Sequence, residues 1–146
     1  MILSKVRDYV KTQISAIDSN LVEWGSPFDS SNIPETLADR AYFIKYDVAS
    51  TSESQTTISD RIDVEVQFFF KGFRDELNEY DDAMDKVNTI RIKCISISSI
   101  EAFKSTDENP IYEVISTSQL GEMLSSNERQ IIITLNLVIG LNQVYC

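Results

Sequence analysis

Histidine is absent from this 146-residue chain, which removes every catalytic triad, dyad or metal centre that depends on an imidazole. Glycine occurs only four times, at Gly25, Gly72, Gly121 and Gly140, so no glycine-rich loop can cradle a phosphate. The two cysteines, Cys94 and Cys146, make neither a Cys-x-x-Cys motif nor a metal spacing. Both are expected to be free thiols, as in a reducing compartment. Basic residues are scarce as well: 13 stand against 23 acidic ones, for a formal charge of −10. The phosphate attraction that sequence-independent nucleic-acid binders use is missing. DNA is not expected as a ligand, although a like-charged surface suits a duplex that must slide past without adhering. No run approaches the roughly 18 apolar residues of a membrane span, and Lys5, Arg7 and Asp8 interrupt what would be a signal core. A soluble protein, intracellular at synthesis, is expected.

What is present is pattern. From Ile58 to Lys71 apolar and polar residues alternate, with Ile58, Ile62, Val64, Val66, Phe68 and Phe70 on one side and Arg61, Asp63, Glu65, Gln67 and Lys71 on the other. At about 3.3 Å per residue this half-buried strand runs roughly 40 Å, enough to reach past its own domain. Residues 41–48 alternate in the same way, and the polar stretch 49–57 between the two predicts a hairpin with a long tip, either a loop or an arm ordered against a neighbour. Ahead of them, Ile2, Val6, Tyr9, Val10, Ile14 and Ile17 form one stripe of an amphipathic helix. A turn-rich connector follows over 18–40, whose Leu21, Val22, Trp24 and Phe28 are expected to pack on the body.

After Gly72 the period changes to about three and a half. Phe73, Leu77, Tyr80, Met84, Val87, Ile90 and Cys94 mark a second helix over 74–95, acidic in its first half and basic in its second, as the helix dipole favours. Residues 97–103 read as a short strand or turn, 111–117 as a strand, 119–127 as a turn around Gly121, and 129–139 as a closing strand with Ile131, Ile133, Leu135, Leu137 and Ile139 inward. The order is α-β-β-α-β-β. It predicts one α+β domain over residues 1–146, a two-layer arrangement with an antiparallel or mixed sheet packed against two helices.

No catalytic, cofactor-binding or metal-ligating residue emerges from the pattern. Glu79, Asp81, Asp82 and Asp85 point in different directions on a helix and read as a solvated face. Asp107, Glu108 and Asn109 before Pro110 read as turn chemistry, and Cys94 as a buried, inert thiol. The sheet's second face is more informative. Phe43, Phe69, Ile132 and Val138 interrupt an otherwise polar surface and need cover, either from the 18–40 connector or from another subunit.

In its leading helix, irregular connector, Tyr42-Phe43-Ile44-Lys45-Tyr46 strand, Ile62-Asp63-Val64-Glu65-Val66 strand, second helix and closing Arg129–Leu137 strand, the chain resembles the tail-terminator (tail-completion) proteins of long-tailed bacteriophages. The resemblance covers most of the chain and rests on order and size. It implies a non-enzymatic virion protein of the tail or neck, assembled in the host cytoplasm. Such a protein forms a homo-oligomeric ring, a hexamer in this family, at the head-proximal end of the tail tube. Its partners would be the tail tube protein, a head-completion (neck) protein and sister copies across Phe43, Phe69, Ile132 and Val138. Glu53, Ser54 and Gln55 would line the lumen or a contact loop, with DNA passing through, no cofactor and no membrane. Another phage neck, connector or tube protein, or a monomeric two-layer module binding a ligand or peptide, fits the same pattern.

Overall fold

A computed structural model describes residues 2–24, 39–53, 57–72, 76–104, 111–124 and 130–144. Phe28 and most of the connector, Ser54, Gln55, Phe73, Asp107, Glu108, Asn109 and Cys146 lie outside these residues. Helix α1 (Ile2–Ile17) turns Val6, Tyr9, Val10 and Ile14 into the core, the stripe that the three- and four-residue spacing dictates. Asp18 ends it: its amide still donates to the Ile14 carbonyl at 2.9 Å, while its carboxylate accepts the Asn20 N–H at 2.9 Å and reverses the chain. The reversal delivers Val22 and Glu23 (β1) to the edge of β2 (Ala41–Glu53), the one parallel pairing among the described residues.

Strands β2, β3 (Thr57–Lys71), β4 (Ile111–Leu124) and β5 (Gln130–Val144) are otherwise antiparallel, in the order β1-β2-β3-β5-β4. The alternation seen in the sequence becomes the inner face: Ile62, Val64, Val66 and Phe68 on β3 meet Ile139, Leu137, Leu135 and Ile133 of β5. Helix α2 (Glu76–Ile95) covers that face with Ala83, Val87, Ile90 and Cys94. Helix α3 (Ile97–Lys104) follows after the single residue Ser96 and adds Ile100 and Phe103. The result is the expected α+β architecture, with a mixed sheet and a third helix.

Four expectations are corrected. Residues 97–104 are helical: Ser96 stands at the position where a serine opens a helix, and Ile100 and Phe103, three apart, pack on the core while Ile97 stays 76% exposed. The polar 49–57 stretch is mostly strand, paired as Ser52 with Ser59 and Glu53 with Ile58, so the hairpin is long in its arms rather than at its tip. Gly121 lies inside β4, where an added Cβ would come within 2.8 Å of Tyr80 Cζ and 2.9 Å of Met84 Sδ: glycine marks a close approach of α2 to the sheet, not a turn. Leu77 is 68% exposed. At 100° per residue it sits roughly 110° round from the centre of the buried stripe of α2.

Candidate functional site

The outer face of the sheet is built of rows that the strand register sets across β2, β3, β5 and β4. In order they read Ala41-Phe69-Ile132-Glu122, Phe43-Gln67-Thr134-Leu120, Lys45-Glu65-Asn136-Ser118 and Asp47-Asp63-Val138-Ile115. The first two rows bring together Phe43, Phe69 and Ile132. Val138 stands apart, six residues along β5 from Ile132 and so roughly 20 Å away, beyond the polar third row.

The four residues also differ in cover. Phe43 and Phe69 stack with ring centroids 5.5 Å apart and are only 1% and 4% exposed in the single chain. Lys45 Nζ lies 5.0 Å from the Phe43 centroid and 3.9 Å from the Glu65 carboxylate. These two rings therefore need no sister copy to leave water. Ile132 and Val138 are half-buried. Glu53 sits at the far end of β2, opposite Ile58.

The exposed apolar groups of this face are others. Tyr112, Ile115 and Leu120, the last 62% exposed, project outward from β4. Tyr112 lies over Gly140, where a Cβ would come within 2.7 Å of its Cζ. A period of two could not assign these residues. β4 is irregular between Ile111 and Glu113 and again between Ser116 and Ser118. Each irregularity inserts a residue and shifts the inward set, so that Ile111 and Val114, then Ser116 and Gln119, face the helices at a spacing of three. The signal available in the sequence was the Ser-Thr-Ser run at 116–118, which carries no apolar alternation.

β4 is also the edge strand of the sheet, with one flank of N–H and C=O groups outside the ladder. On the opposite side β1 pairs with β2, among the described residues, at Ala41 and Tyr42.

The titratable and nucleophilic groups of the described residues are as follows. Among the described residues, no group of three or more His, Cys, Asp or Glu is arranged to hold a metal. Cys94 is fully buried, and burial pushes its thiol up to about 12 despite the opposing charge of Lys93. Burial likewise raises the phenols of Tyr9 and Tyr42, Tyr42 to about 12. In the groove of about 450 Å³ between α2 and β4 the polar groups are partly engaged with one another. Gln119 Nε2 donates to the Met84 carbonyl at 3.0 Å, and Arg91 Nη2 to Asn88 Oδ1 at 2.8 Å. The ion pairs of the helix layer, Asp18 with Lys86 at 2.7 Å and Glu23 with both Arg7 and Lys11, tie elements of the fold together.

No protein-family profile and no curated protein matches this chain in sequence. In structure it is similar to a chain of the virion of a native gene transfer agent (GTA) particle, with a TM-score of 0.58, covering 98% of either chain at 11% identity. That likeness shows a shared fold over essentially the whole length.

Proposed function

We propose that this chain is a non-enzymatic structural component of a phage-like particle and, within that class, a ring-forming tail terminator at the head-proximal end of the tail tube. The observation that carries the reading is the likeness of fold to a virion chain, over 98% of either chain. The tail-terminator role rests on the resemblance in element order and size and on a surface suited to assembly.

In this reading Tyr112, Ile115 and Leu120 of β4, with half-buried Ile132 and Val138 beside them, meet a different surface of the next copy. A head-to-tail contact of this kind closes into a ring when its rotation does. Phe43 and Phe69 lie on the same face in the rows of Leu120 and Ile132. Six copies at −10 each would carry about −60, and carboxylates facing the lumen would let DNA pass without adhering. The hairpin end at Glu53, with Ser54 and Gln55, is the segment assigned to the lumen or to a neighbouring ring. Tube growth stops because the face toward the tube protein is complementary to it and the face toward the head-completion protein is not.

Two measurements test this. In particles imaged by negative stain with a label on this chain, the label is expected at the head-proximal end of the tube; a label on the capsid shell overturns the role. For the interface, Leu120→Lys should prevent ring formation, in isolation or on added tail tubes, and change folding stability by no more than about 0.5 kcal/mol, as for a surface substitution. A Leu120→Lys protein that still forms rings removes β4 from the interface.

A further inference from the structure

A second surface lies on the helix side and is independent of the ring. Helices α1 and α3 each pack on α2 and leave between them a groove of about 530 Å³, lined by Thr12, Gln13, Ala16, Lys93, Ser98, Ser99, Ala102 and Phe103. We infer that this groove binds a short segment of a partner protein in which a carboxylate adjoins an apolar side chain.

Three polar groups of the groove have no side-chain counterpart among the described residues. Gln13 is 4% and Ser99 8% exposed, and neither side chain has a hydrogen-bond partner among the described residues. Lys93 makes no ion pair among them. Their neighbours are engaged: Thr12 Oγ1 donates to the Asp8 carbonyl at 2.7 Å, and Ser98 Oγ shares a 2.8 Å bond with Ser96 Oγ. A buried amide offers both a donor and an acceptor, the complement of a peptide group; the serine hydroxyl adds either, and the ammonium selects an anion. Ala16, Ala102 and the Phe103 ring supply the apolar wall. Phe103 is held in place by an edge-to-face contact with Tyr9 at 5.3 Å.

Simpler occupants leave part of this unused. Water would satisfy Gln13 and Ser99 but not cover the wall, and an inorganic anion would pair Lys93 with the wall still bare. A carboxylate-bearing apolar segment uses all three features. The volume, within the range of small-ligand sites, suits two or three residues of such a segment. The Lys93 ammonium, without an ion pair among the described residues, favours an acidic occupant of this groove.

The test is a titration of the ¹⁵N-labelled full chain with N-acetyl-leucine and, separately, with N-acetyl-leucine amide. Saturable shifts are expected at the Gln13 side-chain amide and the backbone of Ser98, Ser99 and Ala102. The affinity should be millimolar, as for so small a probe, and about three- to fivefold tighter for the acid, as one partly exposed ion pair provides. Lys93→Gln, with folding verified by thermal unfolding, should abolish that preference. Shifts that do not saturate, shifts outside the groove, or equal affinities of the native chain for the two probes overturn the assignment. So does a dimer, seen by sedimentation without probe, that perturbs these same resonances, because the occupant is then a second copy.

Discussion

Replacing Tyr9 with phenylalanine removes one hydroxyl and keeps the ring, which isolates a single bond between the first two helices. The Tyr9 hydroxyl donates to the Cys94 carbonyl at 2.5 Å, fully out of solvent. Cys94 belongs to the last turn of α2, where carbonyls have no intrahelical N–H to accept. Tyr9 therefore caps α2 from a neighbouring helix. In Tyr9→Phe the carbonyl stays buried without that donor, and the cost follows desolvation rather than the smaller mean worth of a hydrogen bond, about 1–3 kcal/mol. The edge contact with Phe103 survives. With a urea m-value of about 1–2 kcal/mol/M for a domain this size, the midpoint should fall by about 1 M with m unchanged. Circular dichroism and the fluorescence of the single tryptophan, Trp24, both report the transition. Burial raises the Tyr9 pKa above its ordinary value, so the phenol remains a donor through neutral pH; its contribution is full below about pH 10 and lost as pH rises toward the native pKa. The gap between native chain and variant should thus be constant from pH 6 to 9 and shrink above pH 10. A midpoint shift under about 0.2 M would refute the capping role.

Two apolar deletions should separate core from surface: Ile133→Ala costs about 2–5 kcal/mol, while Leu77→Ala changes urea stability by under about 0.5 kcal/mol. Burial holds the Cys94 thiol neutral to about 12, so its contribution is intact below the ordinary thiol pKa near 8.5 and falls above it by a little over 1 kcal/mol per pH unit. Urea melts at pH 7, 9 and 10 should show a flatter alkaline limb in Cys94→Ala, and parallel limbs would contradict this. The Lys86 hydrogen bond lowers the Asp18 pKa, so the pair stabilises above about pH 4 and its contribution disappears as pH falls through the native value. Asp18→Asn should lose up to about 1 kcal/mol at pH 7, a modest figure because Lys86 is partly exposed, and less at pH 3.

The parts of the fold legible in the sequence are those where one periodicity runs unbroken. β3 pairs on both sides, and its inner residues keep a spacing of two from Ile62 to Phe68; the stripe of α1 is equally regular. Legibility fails where local chemistry and tertiary context disagree. The Ser/Thr-rich segment around Ser50 becomes strand because its partner strand extends beside it, which no local propensity reports. Gly121 reads as a turn in isolation, yet it is a gap in β4 that admits Tyr80. Alternation alone puts Phe43, Phe69 and Ile132 on one face, but the burial of Phe43 and Phe69 within the chain is a property of the folded whole. Tyr112, Ile115 and Leu120 escaped because two inserted residues alter which side chains of β4 face outward.

The same two irregularities bear on how the chain would assemble. An edge strand of fourteen residues is a template for unlimited strand addition, and bulges are among the devices that spoil it by breaking the hydrogen-bonding repeat. In β4 they do this while turning Ile115 and Leu120 outward, and Glu113 and Glu122 add charge along the same strand. In the proposed assembly, association by edge would be discouraged and association by face favoured. A face contact is finite in area and fixed in orientation, which is what closure requires, whereas a bare edge invites open stacking. Smoothing β4 by deleting Thr117, the residue inserted between Ser116 and Ser118, should therefore favour concentration-dependent strand addition over discrete rings. Sedimentation would show a broad, growing distribution in place of one species, and a deletion variant that still gives a single closed ring would refute this role for the bulge.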